Sequence, residues 1–299
     1  MFLRMSRLLD KFVVYLSRLY YRSITKTAEN CPVPDNVREH CDVPYLNRSG
    51  KQLLMDIFEP VDDNRERPVI IYIHGGGLVV GDKIMSKGFC IELAKRGFLV
   101  FALNYQLAPI VSVYDQFDDV SAGMDYVGSR IIDFDVNPFR IYLVADSAGA
   151  YLSIYTAAMA KSAKIQQALG QTPTRMSYKA MALVGGMFYT RNNDAVGKYL
   201  SHFFYRDAQK NKAMDPYLDP GNAEVSGNLP PCLLVTSEHD ILRKYSEKLL
   251  GILWKHNIDY HFVYMGDDKR FTHVYPVLHP EDPESQKVID IIKEWFDKY

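Results

Sequence analysis

Several features are scarce in this 299-residue chain, and each shortage excludes something. Only four cysteines occur, Cys31, Cys41, Cys90 and Cys232, with no CxxC pair and no zinc-ligand spacing. A disulfide framework is therefore not expected, and reduced thiols fit a cytoplasmic protein. Net charge is nearly absent, at −1, and no Lys/Arg run or aromatic-basic stripe is present, so nucleic acid is not an expected partner. No apolar run reaches membrane-spanning length, because Ser17 and Arg18 interrupt the stretch from Phe12 to Tyr21. No small-residue cleavage site follows a clean apolar core, which argues against a secretory signal. Internal repeats and low-complexity segments are also missing.

What the chain does have is apolar content. At 47% hydrophobic it can bury a large core, as one large α/β domain or as one domain with a small cap. Residues 1–22 fit one amphipathic helix. Phe2, Met5, Leu8, Leu9, Phe12, Val13, Tyr15, Leu16, Leu19 and Tyr20 fall on one face at about 100° per residue. Arg4, Arg7, Lys11, Arg18 and Arg22 gather opposite, against the single acid Asp10. Packing on its own domain is the favoured reading, and peripheral contact with a lipid surface is the other. A loop from Thr25 to Glu39 follows.

Two strands, near Cys41–Leu46 and Leu53–Glu59, alternate in the manner of antiparallel edge strands. Short apolar strands then alternate with helical patterns. Strands are expected at Val69–Ile73, Phe98–Leu103, Ile141–Val144, Ala180–Val184, Leu233–Thr236 and Tyr260–Tyr264. Helices are expected at Ser86–Arg96, Asp115–Ser129, Ala148–Lys161, Ile241–His256 and Pro283–Lys298. This alternation predicts an α/β fold with a mostly parallel central sheet and helices on both faces, whose ligands bind at the carboxyl ends of the strands. The roughly 48 residues between Val184 and Leu233 are too many for an ordinary connection. They contain a helical pattern at Asn193–Phe204 and predict a cap over the strand ends.

The chemistry starts from Ser147. Arg140–Ala145 is a strand running into Asp146-Ser147-Ala148-Gly149, and a helix follows. A serine on such a turn is lifted towards a cleft, and it needs a base and a carboxylate to become a nucleophile. In an α/β-hydrolase sheet the acid follows a late strand and the histidine follows the last one. Asp240 and His273 occupy those positions. Glu238 and His239 adjoin Asp240 but sit less well at the strand end. His261 lies within a strand, and His279 is the one serious rival for the base. His74-Gly75-Gly76-Gly77 directly follows a buried strand and can turn backbone amides towards a developing oxyanion. Gly76 is the best-placed glycine, with Gly75 or Gly77 beside it, and the Ala148 N–H completes the set. Neither GxxxxGK[ST] nor GxGxxG occurs, so a phosphate loop is not indicated.

These motifs, in this order, resemble the hormone-sensitive-lipase-like family of α/β-hydrolase esterases. The likeness runs through His74–Gly77 with Gly81-Asp82, Asn104–Pro109, Asp146–Gly149, Leu229-Pro230-Pro231, Asp240-Ile241-Leu242 and His273. It implies Ser147 as nucleophile, His273 as base, Asp240 as its orienter, and a cap built from the N-terminal segment and the mid-chain insertion. The chain departs from the family at Ala145 and Ala150, where glycine is common, and at Gln106 and Ile110, which replace a charged pair. Val274 also stands where glycine is usual, and would stiffen the histidine loop.

The expectation is a serine carboxylic-ester hydrolase for small to medium apolar esters, needing no metal or organic cofactor. Residues 1–40 would form the N-terminal cap segment. Residues 41–299 would form the α/β-hydrolase domain, with a cap insertion at about 187–228. A cytoplasmic location is expected, and the oligomeric state, homodimer included, is left open. A non-catalytic small-molecule binding protein and an amide hydrolase with the same three residues are the alternatives.

Overall fold

The computed structural model describes residues 25–299 apart from 26–27, 49, 63–65, 135, 172–173 and 175. The amphipathic helix expected over residues 1–22 lies outside the described residues. In chain order the elements are β1 (Val37–Arg48), β2 (Lys51–Pro60), β3 (Arg67–Ile73), α1 (Lys87–Ala94), β4 (Leu99–Leu103), α2 (Val113–Arg130), β5 (Val136–Asp146), α3 (Ser147–Lys161) and α4 (Ala163–Leu169). Then follow β6 (Met181–Val184), a π turn at Val196–Leu200, α5 (Ser201–Phe204), α6 (Ala208–Met214), α7 (Ala223–Ser226), β7 (Cys232–Thr236), α8 (Arg243–Lys255), β8 (Tyr260–Tyr264), α9 (Tyr275–Leu278) and α10 (Pro283–Asp297).

The eight strands form one sheet in the order β1-β2-β4-β3-β5-β6-β7-β8. β1 pairs antiparallel with β2, and β2 with β4; every later pairing is parallel. The expected α/β-hydrolase fold is therefore present. One expectation is corrected, since of these first two strands β1 lies at an edge of the sheet and β2 lies inside it, between β1 and β4. β1 also begins at Val37, before the boundary expected at residue 41.

Side chains alternate across a strand, so β3 and β4 feed two cores. Val69, Ile71, Ile73, Phe101 and Leu103 pack with α2, α3 and α8 on one face. Ile70, Tyr72, Val100 and Ala102 pack with α1 and α10 on the other. Val69–Ile73 of β3 and Ile141–Ala145 of β5 are apolar where both faces are covered, which is why these stretches show no alternation.

Local chemistry sets the helix ends. α2 starts at a capping box, in which the Ser112 side chain accepts from the Asp115 N–H and Asp115 accepts from the Ser112 N–H. The helix expected from Ser86 is preceded by a 3₁₀ turn at Lys83–Ser86, because Asp82 caps the Ile84 N–H. The segment between β6 and β7 is a chain of short helical pieces. One of its side chains, Leu200, reaches the glycine loop, its Cδ1 lying 3.6 Å from where a Cβ on Gly77 would stand. Among the described residues no helix is long and apolar enough to cross a membrane.

Candidate active site

Three strand ends meet at one cavity. β5 ends at Asp146, and Ser147 opens α3 in the left-handed region, at φ 47°. That conformation is strained for a serine and lifts its hydroxyl off the helix start. Two contacts hold the turn. The Met187 N–H donates to the Ser147 carbonyl at 2.8 Å, and Gly149 lies against β3. A Cβ on Gly149 would stand 2.0 Å from the Ile73 carbonyl oxygen, so α3 and β3 approach this closely only without a side chain there.

β7 ends at Thr236, and the turn after it presents Asp240. β8 ends at Tyr264, and the loop after it carries His273. The two loops are laced together by a parallel bridge between His239 and Thr272 and by the Ser237 hydroxyl donating to the Phe271 carbonyl at 2.5 Å. Ser147, His273 and Asp240 stand in a line. His273 Nε2 is 2.9 Å from Ser147 Oγ, and Nδ1 is 2.7 Å from Asp240 Oδ1. An ionised carboxylate only accepts, so Nδ1 carries the proton and Nε2 is left to accept from the serine hydroxyl. The Leu242 N–H at 2.8 Å and the Thr236 hydroxyl at 3.0 Å also donate to Asp240. Burial alone would raise the Asp240 carboxyl. The His273 ring and these donors outweigh it and hold the group below its ordinary value.

The rival histidines stand elsewhere. His261 is on β8, with its ring 6.0 Å from that of Trp295, and His279 is exposed and packs on Tyr275. His239 is exposed on the cavity rim, where its Nε2 donates to the Asp267 carbonyl at 2.9 Å.

The glycine loop after β3 forms the opposite wall. Gly76 has φ 110°, and a Cβ there would lie 2.0 Å from the Val80 carbonyl oxygen, so no other residue fits. Its own carbonyl accepts from the Val79 and Val80 N–H groups at 3.2 and 3.0 Å. His74, buried, donates from Nδ1 to the Gly75 carbonyl at 2.7 Å and stacks on Tyr105. Burial pushes the His74 imidazole below its ordinary value, which favours this neutral form. Asn104 Nδ2 donates to Asp82 at 2.8 Å, and Asn104 Oδ1 accepts from the Lys83 N–H at 2.7 Å. The Asn104-Tyr105 motif thus braces both ends of the loop that begins at His74. Gly75 is corrected as an oxyanion donor, because its N–H is committed to Asp146 Oδ1 at 3.0 Å. Among the described residues nothing accepts from the N–H of Gly76, Gly77 or Ala148. The Ala148 amide also lies at the positive end of the 15-residue α3.

The cavity between these walls measures about 430 Å³. His74, Gly76, Ser147 and His273 bring polar groups, and Met85, Ile241, Val277 and Leu278 are apolar. Of the departures seen in the sequence, Gln106 is buried while Ile110 is exposed, so the two do not reproduce a charged pair. Val274 takes φ 52°, in the left-handed region that ordinarily favours glycine. Among the described residues no three His, Cys, Asp or Glu side chains converge to hold a metal ion, and all four cysteines are free.

Residues 70–268 match the family described as alpha/beta hydrolase fold. The chain belongs to that family. Among curated relatives of this hydrolase-fold chain, a probable isoprenylcysteine alpha-carbonyl methylesterase of Oryza sativa subsp. japonica is 33% identical over 34% of this chain and 24% of its own. Carboxylesterase NlhH of Mycobacterium tuberculosis is 29% identical over 59% of this chain and 57% of its own. The matches thus span from about a quarter to little more than half of these relatives. Among solved structures, esterase B from Lactobacillus rhamnosis superposes with a TM-score of 0.86 at 22% identity, covering 97% of this chain and 95% of that one. An esterase from the bacterial hormone-sensitive lipase family gives 0.70 at 20% identity, covering 93% and 89%.

Proposed function

We propose that this chain is a serine carboxylic-ester hydrolase acting on small to medium apolar esters. The observation that carries the reading is the unbroken line of hydrogen bonds from Ser147 through His273 to Asp240. In this reading His273 Nε2 takes the serine proton as Oγ attacks the ester carbonyl. The charge on the former carbonyl oxygen rests on the N–H groups of Gly76, Gly77 and Ala148. His273 returns the proton to the departing alcohol, leaving an acyl-enzyme, and then activates the water that attacks it. Asp240 holds the ring in the tautomer the first step requires.

The cavity supports the substrate class. Its volume of about 430 Å³ is near the lower end of ordinary ligand pockets, and its Met85, Ile241, Val277 and Leu278 walls suit an apolar group. The relatives named as a methylesterase and a carboxylesterase, and the esterase B structure with a tributyrin phosphonate, agree with an ester. We read the short helices between β6 and β7 as the cap, on the strength of Leu200 against Gly77.

The test is hydrolysis of p-nitrophenyl acetate, butyrate, octanoate and palmitate by wild type, Ser147→Ala and His273→Ala. Activity on the shorter esters, lost in both variants, is expected. Folded wild type with no turnover on esters overturns the reading. Turnover of anilides in preference to esters would replace it with an amide hydrolase. Tight ligand binding that survives Ser147→Ala without turnover would replace it with a binding protein.

A further inference from the structure

The buried carboxylate of Asp146 has no part in the proton path just described, yet it touches both walls of the site. Its Oδ1 accepts from the Tyr72 hydroxyl at 2.6 Å and from the Gly75 N–H at 3.0 Å. Tyr72 is on β3, Gly75 begins the glycine loop, and Asp146 is the residue before the nucleophile. One oxygen atom therefore ties the strand, the loop and the turn together. Asp146 stands at the N-cap of α3, where a carboxylate ordinarily accepts from the helix's own amides, but its side chain makes no capping bond. It is turned to the loop instead. No side chain would fit at residue 75, since a Cβ there would lie 2.3 Å from Asp146 Oδ2.

The consequence follows from peptide geometry. The Gly75–Gly76 peptide is trans, so the Gly76 N–H points opposite to the Gly75 carbonyl. That carbonyl is held by His74 Nδ1 at 2.7 Å and, more weakly, by the Tyr105 hydroxyl at 3.4 Å. The Gly75 N–H is held by Asp146. With both flanking peptide groups of a flexible residue fixed, the Gly76 amide has one direction left, away from His74. A donor already aimed has no reorganisation to make when charge develops.

We propose that Asp146 is a positioning residue for the reaction: its carboxylate oxygen clamps the Gly75 amide and thereby aims the Gly76 N–H at the substrate oxygen. The proposal rests on the esterase reading above. What it requires of Asp146 is an acceptor oxygen at that point, not a charge. Both neighbours of that oxygen are donors, so an amide oxygen serves as well.

The experiment compares wild type with Asp146→Ala, Asp146→Ser, Asp146→Asn and Tyr72→Phe. It follows kcat and KM on p-nitrophenyl butyrate, the rate of serine labelling by a fluorophosphonate, and hydrogen exchange of the Gly75 amide. Removing one oxyanion donor costs about 10²–10³-fold in kcat, and a donor loosened rather than removed should lose about 10–100-fold. Asp146→Ala and Asp146→Ser are expected to show that loss with KM little changed, slowed labelling and faster Gly75 exchange. Asp146→Asn should recover most of the rate, and Tyr72→Phe, which leaves the Gly75 contact, should stay near wild type. Unchanged kcat and labelling in the alanine and serine variants overturn the proposal. An asparagine variant as slow as alanine overturns it too, since charge would then be what matters. If the short side chains prevent folding, a Gly75 amide that exchanges freely in wild type overturns it. Wild type inert to both ester and fluorophosphonate defeats the esterase reading itself. An active wild type with undiminished variants defeats only the clamp.

Discussion

His273 and Asp240 meet across 2.7 Å, but they face different surroundings: the Asp240 side chain is 2% exposed and that of His273 23%. The acid is sealed behind the base, and the base alone looks onto the cavity. An ionised carboxylate in that place is stabilised only by donors brought to it, and Thr236, Leu242 and His273 supply them.

Asp240→Asn should therefore be severe without being disruptive. The amide fits the same space, but its nitrogen can turn to Nδ1 and force the His273 proton onto Nε2, where it blocks the serine. A fall in kcat of about 10⁴-fold is expected. Thr236→Val, which removes one of the supporting donors, should lose no more than about tenfold. Steady-state kinetics on p-nitrophenyl butyrate decides both, and a Thr236→Val loss equal to that of Asp240→Asn would refute this ranking.

Asp146 and Asp240 should respond to pH with opposite sign. Burial raises the Asp146 carboxyl above its ordinary 3.8, against the opposing Tyr72 hydroxyl. Its ionisation therefore weighs against the folded state at neutral pH, and the penalty disappears as pH falls through the raised value. Asp240 is held below 3.8, so its contribution is present at neutral pH and is lost as pH falls through the lowered value. Urea midpoints taken from about pH 7.5 down to about pH 2 check this, the Asp146 change falling above the ordinary carboxylate value and the Asp240 change below it. Asp146→Asn should look best, relative to wild type, at neutral pH, and Asp240→Asn worst there.

Gly149→Ala should destabilise the protein by about 1–3 kcal/mol or more, because the added methyl meets the Ile73 carbonyl. The urea midpoint reads it. An unchanged midpoint would mean that α3 and β3 separate freely.

The cysteines should divide by burial. Cys41 is exposed and Cys31 half-buried, while Cys90 and Cys232 are buried and their thiols pushed well up by desolvation. Native protein should titrate first at Cys41 with a disulfide reagent such as DTNB. Cys90 and Cys232 should react only on unfolding.

Much of this was legible in the residues. Strands such as Val69–Ile73 carry their burial in their composition, and Ser147, Asp240 and His273 stand where chain order and strand ends put them. The short helices α4, α6 and α7 carry little periodic signal in the sequence, since pieces of that length draw their stability from tertiary packing. Their caps were nonetheless visible: Ser162, Asp207 and Asn222 each accept from an amide of the first turn, and Gly170 ends α4 at φ 63°. The commitment of the Gly75 amide left no trace in the sequence. Asp146 looks the same whether it caps α3 or turns to the loop, and only the packing of β3 beside β5 decides.

The His239–Thr272 bridge and the Ser237–Phe271 contact bind the acid loop and the base loop into one piece. Thermal motion of that piece carries His273 and Asp240 together, so their mutual distance is the stiff coordinate. The serine belongs to another body, the β5–α3 turn. Fluctuation should therefore fall on the gap between Ser147 Oγ and His273 Nε2, the one link that must open and close in each turnover.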